Sequence, residues 1–73
     1  MLALVLVRQR RFYRVEVGYN LFGEYTVLRE WGAGGRASRA MVVWFSNLRE
    51  ACMAADRWRK RAERRGFQMD YRS

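Results

Sequence analysis

Residues 31–39, Trp31-Gly32-Ala33-Gly34-Gly35-Arg36-Ala37-Ser38-Arg39, put one large aromatic ring, three glycines and two arginines into nine consecutive positions. Glycines open backbone conformations closed to other residues, so successive amides can converge on an anion. A flat indole beside guanidinium groups adds a surface for a sugar or base and a fork of donors that matches phosphate. The chemistry this points to is anion binding rather than bond-making. The segment lacks the strand–loop–helix setting of phosphate-binding loops, because another strand follows it. Each residue also has a plainer role: Trp31 as packing at a strand end, and Gly32, Gly34 and Gly35 as turn geometry.

The charge balance supports a polyanionic partner. Fifteen Lys and Arg face seven acids, for a formal net charge of +8 and a sequence pI near 11.1. Lys60 is the single lysine, so the positive charge is almost all guanidinium. Nucleic acid is the favoured partner, with anionic membrane surface second. A second basic cluster lies at Arg8, Arg10 and Arg11, and a third along a helix at Arg49, Arg57, Lys60, Arg61 and Arg64. The candidate contact set is Trp31, Gly32, Gly35, Arg36 and Arg39 on the loop, with Arg10, Arg11 and Lys60 beside it.

Catalysis finds no foothold. The chain has no histidine, so Ser38 and Ser46 lack a base to activate them and His/Cys zinc sites are excluded within one chain. The acids are scattered; Glu16 and Glu30 are the one pair placed to face each other across strands, too little for an enzyme. No catalytic residue, metal or cofactor is expected. Cys52, the one cysteine, falls in an apolar helical pattern and reads as a buried, inert thiol. The apolar start, Met1 to Val7, is too short to span a bilayer and lacks the marks of a secretory signal, so a cytoplasmic protein is expected and no membrane partner.

These residues need a scaffold, and 73 residues make one domain, 1–73. Leu2 to Val7 reads as a strand, interrupted by Arg8-Gln9-Arg10-Arg11. Phe12 to Val17 alternates, with Tyr13, Val15 and Val17 on one face and Phe12, Arg14 and Glu16 on the other. A loop at 18–23 leads to Glu24–Trp31, where Tyr25, Val27, Arg29 and Trp31 share a face. Gly32 to Ser38 reads as a loop, and Arg39 to Phe45 as a strand apolar on both faces, with both sides covered. Asn47 is a fitting N-cap with Glu50 three places on. From there Leu48, Ala51, Cys52, Ala55, Trp58 and Ala62 recur at helical spacing, and Gly66 ends the helix. Phe67 to Tyr71 returns to the sheet or packs beneath it. The fold class is α+β: a small antiparallel sheet of three to four strands packed against one long C-terminal α-helix.

Three runs carry a resemblance to a known family: Arg11-Phe12-Tyr13-Arg14-Val15, Leu21-Phe22-Gly23-Glu24-Tyr25 and Leu28-Arg29-Glu30-Trp31-Gly32. With Arg64-Arg65-Gly66-Phe67 near the end, they resemble the WGR domain family, most closely its short bacterial members, from about Arg11 to Phe67. The resemblance implies a small sheet with one long helix. It also implies contact with DNA near a strand break, as made by a similar domain in poly(ADP-ribose) polymerases, where the motif tryptophan lies against the sugar of the terminal nucleotide. That role falls on Trp31; Gly32 and Gly35 match the motif glycines, and Arg39 matches a basic position after the loop. Two positions depart. Ala33 stands where the motif has its arginine, and Gly34 where an apolar residue follows; Arg36 offers a charge from the same loop. An asparagine often found ahead of the first Phe-Tyr strand is also missing, with Gln9 or Arg10 near its place.

The expected function is therefore a non-enzymatic nucleic-acid-binding module, DNA in preference to RNA. The alternative is a protein–protein or homodimer module that uses the apolar N-terminal strand, which on a sheet edge invites pairing with another chain.

Overall fold

The period-two alternation of Val15 and Val17 and the helical spacing of Ala51 and Ala55 meet in one core. In the computed structural model, which describes residues 2–70, these residues and Val27 form the buried cluster, flanked by Tyr13, Tyr25, Phe45 and Trp58. The elements in chain order are β1 (Leu2–Arg8), β2 (Arg11–Tyr19), β3 (Tyr25–Ala33), β4 (Arg39–Phe45), α1 (Leu48–Arg64) and β5 (Gln68–Met69). The first four strands form an antiparallel meander, and α1 carries the chain back across one face so that β5 pairs with β1, giving the order β4-β3-β2-β1-β5. A 17-residue helix is roughly 26 Å long, enough to cross five strands set about 4.8 Å apart.

The α+β class holds, with a fifth, short strand beyond the three or four expected. Gln68 and Met69 find Val7 and Leu6 as partners, and the Asp70 amide donates to the Val5 carbonyl, 2.8 Å; Tyr71 lies outside the described residues. Further boundaries move, and Gly18 and Tyr19 extend β2, paired with Thr26 and Tyr25. Arg8 and Arg11 are paired strand residues, so only Gln9-Arg10 makes the turn. Gly32 and Ala33 belong to β3, paired with Phe12 and Arg11. In each case the backbone ladder carries on through residues whose side chains gave no alternating signal.

Helix α1 starts as its cap predicts: the Asn47 side chain accepts the Glu50 amide at 2.8 Å. It buries Ala51, Ala54, Ala55 and Ala62, small residues that let it lie close on the sheet. This face is rotated from the expected one. Leu48 is half exposed, and Cys52 is exposed rather than buried, because the core stripe runs through Ala51 and Ala54 and leaves Cys52 on its flank. At the other end Gly66 takes φ +95°, with Gly66 donating to the Glu63 carbonyl and Phe67 to that of Ala62. This pair of bonds closes the helix as a Schellman turn, and it swings Phe67 back beneath the sheet end.

The expectation that β4 is covered on both faces is overturned. It is the sheet's edge, and Met41, Val42 and Trp44 are exposed, because the chain's one long helix covers a single face and lies mainly over β2 and β3.

Candidate nucleic-acid interface

The antiparallel register brings Tyr13, Trp31 and Arg39 into one row across β2, β3 and β4, with Arg29 one step along β3 on the same face. Tyr13 and Trp31 stack, centroids 6.2 Å apart and planes 17° from parallel, and Phe67 meets Tyr13 edge-on at 6.2 Å. The Arg29 guanidinium lies over two indoles, 5.0 Å from Trp31 and 4.8 Å from Trp58. A ladder of Phe67, Tyr13, Trp31, Arg29 and Trp58 thus runs under the C-terminal half of α1. Such contacts hold a guanidinium in a fixed plane while leaving its edge donors open. One Arg29 donor reaches only the Met41 sulfur, 3.2 Å, and its Nε is buried without a hydrogen-bond partner.

Phe67, Tyr13, Trp31 and Arg29 of this ladder line a hollow of about 710 Å³ between the sheet end and the helix end. Five arginines line it: Arg8 from β1, Arg11 from β2, Arg29 from β3, and Arg61 and Arg65 from the end of α1. Phe12, Tyr13, Trp31, Gly32, Ala33, Ala62 and Phe67 supply the rest of the wall, and no Asp or Glu is among the lining residues. The acids are engaged elsewhere. Glu16 and Glu30 flank Arg14 on the sheet's opposite face at 3.5 and 3.4 Å, and Ser38 donates to Glu30 at 2.8 Å. Asp56 and Glu63 pair with Arg59 on the helix, and Lys60 with Asp56 at 3.1 Å. Arg59 and then Lys60 hold the Asp56 carboxyl below its usual range, and Asp56 in turn raises Arg59. None of these ion pairs draws on an arginine of the hollow.

The candidate residues divide by place. Trp31, Gly32 and Arg11 line the hollow. Trp31 is half-buried, one ring face on Tyr13 and another part of its surface open. Arg10 sits in the β1–β2 turn, whose Arg10 carbonyl accepts the Gly34 amide at 2.9 Å; the turn therefore abuts the β3–β4 loop and sets Arg10 and Arg36 at the same sheet end. Arg39 stands beside Trp31 on β4, exposed at the rim. Lys60 points to Asp56 and is not among the lining residues.

The glycines have distinct reasons. Gly35 takes φ +80° with open space around it, a turn requirement alone. Gly32 has ordinary φ, but a Cβ there would lie 3.1 Å from the Ser38 Cα and 3.3 Å from the Phe12 ring, so a side chain fits only if the loop or the ring gives by a few tenths of an ångström.

The candidate contact set read from sequence lacks Arg29, Arg8, Arg61 and Arg65, although Arg8 and Arg61 belong to the basic clusters noted there. For Arg29 a signal existed: it is in phase with Val27 and Trp31 on the face that packs, an odd place for a cation. The other three come together only when the helix end meets the β1–β2 turn.

A family model for the WGR domain matches residues 3–73. The chain belongs to the WGR domain family. The WGR domain is a nucleic-acid-binding module rather than a catalytic one. Trp31 and Gly32, the Trp-Gly pair that carries the sequence resemblance, lie on the wall of the arginine-lined hollow. Comparison with curated proteins gives no match, and comparison with solved structures gives none. No helix among the described residues is long and apolar enough to cross a membrane, and they contain no cluster of three or more His, Cys, Asp or Glu placed to hold a metal.

Proposed function

We propose that this WGR domain binds DNA, in preference to RNA, through its sugar–phosphate backbone or strand ends, with the hollow as its contact surface. Trp31 lies against a sugar or base, supported from behind by Tyr13. Arg8, Arg11, Arg29, Arg61 and Arg65 pair with phosphate oxygens, and Arg10, Arg36 and Arg39 extend the contact along the rim. Gly32 lets the backbone approach, and Gly35 shapes the loop. Lys60 contributes at longer range through its charge. The reading rests on one observation above all: five arginines and a stacked tryptophan share one wall that carries no carboxylate. Contacts of this kind position a duplex and read little sequence.

Tryptophan fluorescence titration with duplexes bearing a nick, an overhang or a 5′-phosphorylated end tests it. With about five phosphates engaged, log K falls against log salt with a slope of about −4 to −5. Preference for ends over closed circles supports the strand-end mode. Absence of binding to every duplex at low salt overturns the proposal.

A further inference from the structure

We propose that β4 is the pairing edge of a symmetric dimer, in which two copies of this chain join their sheets through antiparallel β4 strands. The two edges of the sheet differ. One ends in the two-residue β5, the other in the seven-residue β4. A free edge presents a row of unpaired backbone donors and acceptors, and natural edges are blunted with proline, a bulge or charge. β4 has none of these along its middle: it pairs one-to-one with β3 from Arg39 to Phe45, and its one charged residue is its first. Met41, Val42 and Trp44 are 45%, 39% and 58% exposed, on both faces of the strand.

A second copy fits this edge because the strand is complementary to itself. With the two-fold axis at Val42, Val42 meets its counterpart, Met41 meets Val43, the small Ala40 meets Trp44, and Arg39 meets the Phe45 ring. No like charges face each other, and the whole strand is used; cross-strand pairs of these kinds stabilise antiparallel ladders. The axis stands perpendicular to the sheet, so both helices lie on one side of a continuous sheet. Both hollows stay open, since β4 contributes no residue to their walls. The net charge of +8 on each copy opposes association, but salt screens it over about 8 Å at physiological ionic strength. A single-strand edge buries less than the roughly 1,600 Å² of a standard interface, so association in the micromolar range or weaker is expected.

Sedimentation equilibrium of the whole chain, without nucleic acid, from micromolar to millimolar protein is the test. The expected result is a mass rising from one chain to two, and rising sooner at higher salt, opposite in sign to nucleic-acid binding. Val42→Lys and Val42→Glu each hold the mass at one chain, and an equal mixture of the two restores two. Hydrogen exchange on the unaltered chain, which stands even if those variants fail to fold, slows at residues 39–45 as concentration rises. A one-chain mass throughout the range overturns the proposal, as does a dimer indifferent to both variants. So does slowing at residues 2–5 in place of 39–45, or slowing at 39–45 only when a different protein is added.

Discussion

Arg11 stands directly across the β2–β3 ladder from Ala33. Position 33 is where the sequence resemblance sets the motif arginine, and a guanidinium stands one strand away from it, on the wall of the same hollow. Directly opposed residues have Cβ atoms about 4.5–5.5 Å apart, well within the reach of an arginine side chain. Arg11→Ala is expected to weaken binding and flatten the salt slope by about 0.9, the share of one phosphate. Ala33→Arg added to Arg11→Ala should restore the slope. Ala33→Arg alone sets two guanidiniums opposite each other, and a thermal melt should show the domain destabilised. An unchanged slope in Arg11→Ala would remove Arg11 from the contact.

The guanidinium over Trp31 and Trp58 has a structural role of its own. Arg29→Ala removes two cation–π contacts worth about 0.5–1 kcal/mol each, so denaturant unfolding should show a loss of about 1–2 kcal/mol. Arg29→Lys should keep much of the stability and lose more of the binding, because an ammonium lacks the planar fork. Equal losses in both measurements for Lys would mean that Arg29 acts through packing alone.

Gly32 and Gly35 should fail differently. Gly32→Ala drives a methyl group against Ser38 and Phe12, an overpacking that costs about 1–3 kcal/mol, and it should disturb the Ser38–Glu30 hydrogen bond. Gly35→Ala meets no atom and pays only for its left-handed backbone, about 1–2 kcal/mol. Chemical shifts of Phe12 and Glu30 should move in the first variant and stay in place in the second.

Asp56 ties the outer helix face to pH. Its pairing with Arg59 and Lys60 lowers its pKa below 3.8, so its contribution to stability is present above that value and lost as pH falls through the lower, folded value. Arg59 is shifted the other way, above the ordinary guanidinium value, and its share is lost only in strong alkali. The melting difference between the unaltered chain and Asp56→Asn should therefore be constant at neutral pH and vanish in acid, between about pH 5 and pH 1. A difference that persists at the acid limit would assign Asp56 another role.

Cys52 gives a direct test of the rotated helix face. Exposed as it is, it should react with a thiol reagent in the native state, and Cys52→Ser should leave the melting temperature unchanged. Reaction only after denaturant is added would place the thiol back in the core.

Local pattern determined much of this protein. Alternation in β2 and β3, the Asn47 cap, the alanine spacing of α1 and the Gly66 stop are contact-free signals that each segment carries by itself, and they suffice for the α+β class, the meander and the long helix. They also place Arg29 in phase with Trp31, and motif spacing is enough for membership of the WGR family. Tertiary structure decided what depends on meetings between segments. The helix's return across the sheet created β5, left β4 as the open edge and turned Cys52 outward. The Schellman turn brought Arg61, Arg65 and Phe67 to Arg8, Arg11 and Trp31, residues some thirty to sixty positions apart in the chain. No local period encodes such a gathering, because which charges share a wall follows from the register of the ladder and the direction in which the helix crosses it.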